Sequence, residues 1–244
     1  MVIKRFYFIV SVLILLASNN LYASRILDHE TEVFIEKIIN DIKFVNNINR
    51  KIEFKIISNK NINAYVDQNN IIYITSGLIE NCQDYVALLS VIAHEIGHID
   101  KNHISKRNIK INKLKNINKI SNLSIIAGSL ISNNPKTLQG IALSSAGISE
   151  VNIKFNKNQE READYYSLET LKKLNLYSLS IIELLKTIEI KSKERGLTKD
   201  KLKISSHPYF EERIEIINYL AGENSSNFDK KLDKKFKFIQ AKFI

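Results

Sequence analysis

The chain has 244 residues, 44% of them hydrophobic and 25% charged, with 36 Lys and Arg against 26 Asp and Glu, a formal charge of +10. That length supports one compact domain plus extensions, and scarce glycine and proline favour a helix-rich fold. The single Cys82 excludes an intramolecular disulfide framework and a cysteine-based zinc cluster. The lysines are scattered among asparagines and isoleucines without a nucleic-acid module, so the basic balance reads as general basicity.

The chain opens with Lys4 and Arg5, an apolar run over residues 6–17 and a polar segment ending near Ala23. This is the layout of a secretory signal, and the run is short for a bilayer crossing at ~20 residues. Cleavage after Ala23 is expected, with an uncleaved anchor as the alternative. The absence of a following cysteine argues against a lipoprotein. Either way the remainder is exported.

Residues 28–49 carry Val33, Phe34, Ile38, Ile42 and Val45 at helical spacing. Strand character follows at 52–57, 64–67 and 71–75, with Gln68-Asn69-Asn70 as a hairpin turn between the last two. Asp84 suits the N-cap of a helix whose apolar stripe is Val86, Leu89, Ile92 and Ile96. Residues 101–149 hold eight basic residues and no acidic one; a helical hairpin against the domain is expected there, with a mobile cover over a cleft as the alternative. Further helices are expected at 159–174, 178–195 and 208–222, followed by a charged tail ending in KKFKFIQAKFI.

The chemistry concentrates in VIAHEIGHIDKNH, residues 91–103. Positions i and i+4 differ by about 40° on a helix, so His94 and His98 point from one face. Two such imidazoles can meet a zinc ion at ~2.0–2.1 Å, with Glu95 beside them to take a proton from water: the HExxH arrangement. His103 lies nine residues after His94, about 180° round the helix, so it cannot share that metal and reads as a packing or hydrogen-bonding residue. Lys101 and Ile104 stand where a metzincin needs glycine and histidine.

A third ligand must come from elsewhere, with one position left open. In NQEREADYYSLE, Glu160 and Asp164 are again four apart. Glu160 can ligate, and Asp164 can accept the outer N–H of a ligating histidine and fix its tautomer. A solvated acidic helix start is the equal alternative on spacing alone.

Four ordered blocks, NAYVDQNNIIYITSGLI, VIAHEIGHIDKNH, EREAD and SSHPYFEERI, resemble the gluzincin family of the CAAX prenyl endoproteases, HtpX and the periplasmic BepA-type proteases, over roughly residues 63–220. The resemblance implies that His94, His98 and Glu160 bind one Zn2+, that Glu95 is the general base and that Asp164 orients a ligand. It also implies that His207 reaches the site, as a transition-state donor or an inhibitory fourth ligand, with Arg213 stabilising the oxyanion or positioning His207. The chain looks more like the soluble branch, without that branch's tetratricopeptide repeats.

The expected fold class is α+β, a mainly helical zincin-type domain with a small β-sheet beside the HExxH helix. The expected organisation is a signal peptide at 1–23, a metalloprotease domain at 24–222 and a charged tail at 223–244. The expected activity is endoproteolysis of unfolded or misassembled exported polypeptides, bound along the sheet edge at Asn63 and Ala64. A latent chaperone-like module with a His-gated metal is the alternative. No nucleic-acid partner is expected, peripheral membrane association stays open, and the sequence does not set the oligomeric state.

Overall fold

A computed structural model describes residues 24–106, 109, 157–194, 210–220 and 227–244. The leader, His207 and nearly all of 107–156 therefore lie outside the described residues. The fold is α+β, mostly helical with one small mixed sheet.

Helix α1 (His29–Val45) starts at Asp28, whose carboxylate accepts from the Thr31 N–H at 3.0 Å and from the Thr31 hydroxyl. This satisfies a main-chain donor that the first turn leaves unpaired. Its inward face is Phe34, Ile35, Ile38, Ile39 and Ile42, while Val33 is 42% exposed. The buried arc is thus rotated by about one residue from the expected stripe, and the β-branched Ile35 and Ile39 fill it.

Strands β1 (Glu53–Ile57), β2 (Ala64–Val66) and β3 (Ile71–Thr75) form one sheet in the order β1-β3-β2. β1 runs parallel to β3 with Ile56 opposite Ile74, and β2 runs antiparallel with Ala64 opposite Ile74. Alternation puts Ala64, Val66, Ile72 and Ile74 in the core. Tyr65 and Tyr73 stack across the other face at 5.0 Å. The β2–β3 turn is held by Asp67, whose Oδ1 accepts from the N–H groups of Asn69 and Ile71.

Thr75 caps the short α2 (Ser76–Asn81), and Asp84 caps α3 (Tyr85–Asp100) by accepting from Ala87 N–H at 2.8 Å. Helix α3 is buried on nearly every face, as a central helix must be if apolar residues surround it. It packs against the sheet, α1, α4 (Lys157–Lys173), α5 (Leu179–Glu194) and α7 (Lys230–Gln240). Helix α6 (Phe210–Leu220) joins α5 through Ile181, Ile182, Leu185 and Ile217.

The C-terminal charged segment contributes α7 to the core rather than trailing free. Phe236 is fully buried and stacks on Phe34 at 5.8 Å. Gln240 Nε2 donates to the carbonyls of Ile79, Glu80 and Cys82 at 2.9, 3.0 and 2.7 Å, closing the C-terminal end of α2. Lys231, Lys234, Lys235 and Phe238 cover the opposite, exposed face, so the lysines that make the segment look like a tail are one side of an amphipathic helix.

Asparagine does glycine's work at helix ends in this chain. Asn47, Asn102 and Asn175 have φ near 56° (55°, 56° and 56°) just after α1, α3 and α4. Behind two of them, Ile48 N–H donates to Lys43 O and Leu176 N–H to Leu171 O, at 2.9 and 2.8 Å. No helix among the described residues is long and apolar enough to cross a membrane.

Candidate metal centre

His94 and His98 leave one face of α3 a turn apart, and their Nε2 atoms approach to 3.0 Å. Helix α4 brings Glu160 to the same point, with its carboxylate oxygens 3.6 Å from His94 Nε2 and 3.6 Å from His98 Nε2. Donors at ~2.0–2.1 Å from a tetrahedral ion sit roughly 3.3–3.4 Å from one another, so the three separations bracket what a zinc-sized ion requires. All three residues are at most 3% exposed, and together they form a group able to hold a metal ion.

The close approach of α3 and α4 depends on Gly97. A Cβ there would lie 3.0 Å from Tyr166 Cβ and 3.3 Å from Ala163 Cα. The glycine between the two histidines therefore lets the helix bearing Glu160 come near enough to complete the group.

The outer nitrogens show which way the rings are protonated. Asp164 Oδ1 lies 2.9 Å from His94 Nδ1. An ionised carboxylate only accepts, so Nδ1 carries the hydrogen and the Nε2 lone pair faces Glu160. Asp164 is itself gripped by Arg213, whose Nε donates to Oδ2 at 2.8 Å and Nη2 to Oδ1 at 2.7 Å. The 3.3 Å between Nη2 and His94 Nδ1 is the spacing of two donors on one shared acceptor. Burial raises the Asp164 pKa, but the charge of Arg213 and the His94 contact outweigh it and hold the carboxyl below its ordinary range. Burial and Arg213 both lower the pKa of His94, and the carboxylates of Asp164 and Glu160 outweigh them and raise it. Burial also works against the charge of Arg213, which Asp164 more than restores.

His103 is fully buried, with Nδ1 2.9 Å from His98 Nδ1 and Nε2 2.9 Å from Glu162 Oε2. Burial depresses its pKa, with Glu162 opposing. It reaches His98 because α3 stops at Asp100 and Asn102, at φ 56°, turns the chain back. The continuous-helix phase thus misplaces it, although the reading of a hydrogen-bonding residue holds. Sequence reasoning passed over Glu162 altogether. The signal was available in Asn102, a helix-terminating residue directly before a histidine.

A model of peptidase family M48 matches residues 28–221. The chain belongs to peptidase family M48. It is 31% identical over 128 residues to the metalloprotease LoiP of Escherichia coli K12, covering 52% of this chain and 48% of that protein. The metalloprotease YcaL of the same organism is 27% identical over 176 residues, covering 70% and 63%. A beta-barrel assembly-enhancing protease of Yersinia pestis is 23% identical over 170 residues, covering 69% and 34%. This chain therefore spans between a third and under two thirds of the length of these relatives.

In this M48 chain the other expected site residues divide. Glu95 is buried beside His94 on α3. Arg213 is 6% exposed and committed to Asp164, with Nη1 3.6 Å from Glu160 Oε2. Its two hydrogen bonds to Asp164 put it behind the metal group, in the position of a brace. β2 is one of the two edge strands of the sheet among the described residues. The Asn63 carbonyl accepts from Thr75 N–H and the Thr75 hydroxyl, so its main chain turns inward. Strand alternation then points the main-chain groups of Ala64 and Val66 outward. His207 lies outside the described residues.

Proposed function

We propose that this M48 chain is a zinc-dependent endopeptidase acting on unfolded or misassembled polypeptides of the cell envelope. One observation carries the zinc reading. Two imidazole Nε2 atoms and a carboxylate converge at one buried point, and the proton-bearing side of His94 is turned to Asp164. Glu160 and Asp164 face one guanidinium and Glu95 is close enough to feel its charge, a formal excess of two negative charges (three minus one) that suits a dication. All nitrogen and oxygen donors, with no sulfur, suit zinc with a position left for water.

Zinc held by His94, His98 and Glu160 would supply a Lewis acid and make water acidic enough to attack near neutral pH. Glu95 takes the proton of the attacking water and hands it to the leaving amine. Asp164 keeps the His94 hydrogen on Nδ1 throughout, and Arg213 keeps Asp164 ionised. An extended substrate would pair with the outward main-chain groups of Ala64 and Val66, a mode that selects flexible chains over folded ones. The envelope assignment rests on the leader pattern and on the name of the Yersinia pestis relative.

The test is cleavage of an unfolded model polypeptide by zinc-loaded residues 24–244, with Glu95→Gln beside it. Cutting by the wild type alone supports the proposal. Equal cutting by both removes Glu95 from the mechanism. Failure of both with zinc bound favours a latent, chaperone-like module. In the envelope, Glu95→Gln should retain exported polypeptides; retention of none would remove the quality-control role.

A further inference from the structure

The two imidazoles of the metal group are held by different means. His94 gives its outer hydrogen directly to a carboxylate, whereas the outer nitrogen of His98 meets a second imidazole. His98 Nδ1 faces His103 Nδ1 at 2.9 Å, and His103 Nε2 faces Glu162 Oε2 at 2.9 Å. Two facing ring nitrogens form a hydrogen bond only if one of them carries a hydrogen and the other does not.

Glu162 decides which. An ionised carboxylate accepts and cannot donate, so the hydrogen of a neutral His103 sits on Nε2. His103 Nδ1 is then a lone pair, and it accepts from His98 Nδ1–H. That leaves the His98 Nε2 lone pair directed at His94 Nε2 and Glu160. We infer that Glu162 and His103 form a relay that sets the tautomer and orientation of His98, so that both are positioning residues for the metal. The inference rests on the metal-site reading above.

The relay spans a gradient of burial. The His98 and His103 side chains are fully buried, while the Glu162 side chain is 53% exposed. A carboxylate at the surface thereby fixes a ring in the interior. The chain geometry for this is local: Asn102 at φ 56° swings His103 back, and Gln159 Nε2 donates to His103 O at 3.4 Å from the start of α4. One segment of α4 then serves the whole group, with Glu160 facing the two Nε2 atoms, Asp164 holding His94 and Glu162 holding His98 through His103.

The exposure of Glu162 makes the inference testable without disturbing the core. In the full chain, long-range proton–nitrogen spectra of the imidazoles should place the hydrogen on Nδ1 of His98 and on Nε2 of His103. Glu162→Ala should weaken zinc binding about 10-fold or more, measured against a chromogenic chelator, while the metal-free protein still unfolds in a single cooperative transition. His103→Gln, whose amide oxygen still accepts, should keep more zinc affinity than His103→Phe, which leaves the His98 donor facing carbon. Hydrogens on the opposite nitrogens, or wild-type zinc affinity in Glu162→Ala, would overturn the relay. Failure of the wild type to bind zinc would refute the metal site instead, and the spectra would still decide the relay.

Discussion

Replacing Arg213 with methionine separates bracing from catalysis. In the wild type two charge-assisted bonds, at 2.8 and 2.7 Å, join its guanidinium to Asp164, with both residues at most 6% exposed. Methionine keeps part of the apolar volume but leaves Asp164 charged and deprived of the donor to Oδ2. Removing one partner of a buried pair costs about 3–5 kcal/mol. In a domain of this size that lowers the unfolding midpoint by roughly 6–20 °C. The loss should be larger with chelator than with zinc, because the dication offsets part of the carboxylate charge that Arg213 neutralises. Adding Asp164→Leu should recover stability, since replacing both members of a buried pair by apolar groups is often near neutral. The double variant should still bind zinc poorly, because His94 loses its acceptor. Thermal unfolding with and without zinc, paired with zinc competition, reads all of these. An Arg213→Met protein that unfolds at the wild-type midpoint but cuts slowly would refute the brace and return Arg213 to the oxyanion.

Substitutions at three other positions have defined outcomes. Gly97→Ala, whose Cβ would press on Tyr166 and Ala163 at 3.0 and 3.3 Å, should cost about 1–3 kcal/mol by overpacking; separating α3 from α4 should also weaken zinc binding, so calorimetry should show both losses. Phe236→Ala should cost about 3–5 kcal/mol in urea unfolding, whereas a free tail would tolerate it without loss. Asp28→Ala should destabilise α1 by about 1 kcal/mol through loss of its cap. The Asp28 pKa is held below its ordinary 3.8, chiefly by the Thr31 side chain, so its stabilisation is present above that value and is lost as pH falls through the lower, folded value. Asp28→Asn should keep the cap and flatten that acid-side decline in the unfolding midpoint.

Local signals in the sequence carried much of this fold. The strand at 71–75 and the Asp84 cap have their expected structural counterparts, and the four-residue spacing puts His94 with His98 and Glu160 with Asp164 on shared helix faces. What stayed hidden depends on partners distant in sequence. Nothing local announces that β1 pairs with β3 in parallel while β2 takes the far edge. The lysine density of α7 masked Phe236, Ile239 and Gln240, whose partners lie on α1 and around α2. The family resemblance placed Arg213 near the site, but only the fold shows it facing Asp164. His103 escaped through helix phase, because one asparagine in a left-handed conformation resets the direction of everything after it.

The central claim is that His94, His98 and Glu160 hold the metal that Glu95 uses. The most direct measurement is bound zinc per chain in Glu160→Ala and Glu95→Gln, with cleavage assayed on the same samples. Glu95→Gln should retain one zinc without cutting, and Glu160→Ala should lose both metal and activity. Stoichiometric zinc in Glu160→Ala at wild-type affinity, or cutting by Glu95→Gln at the wild-type rate, would contradict it.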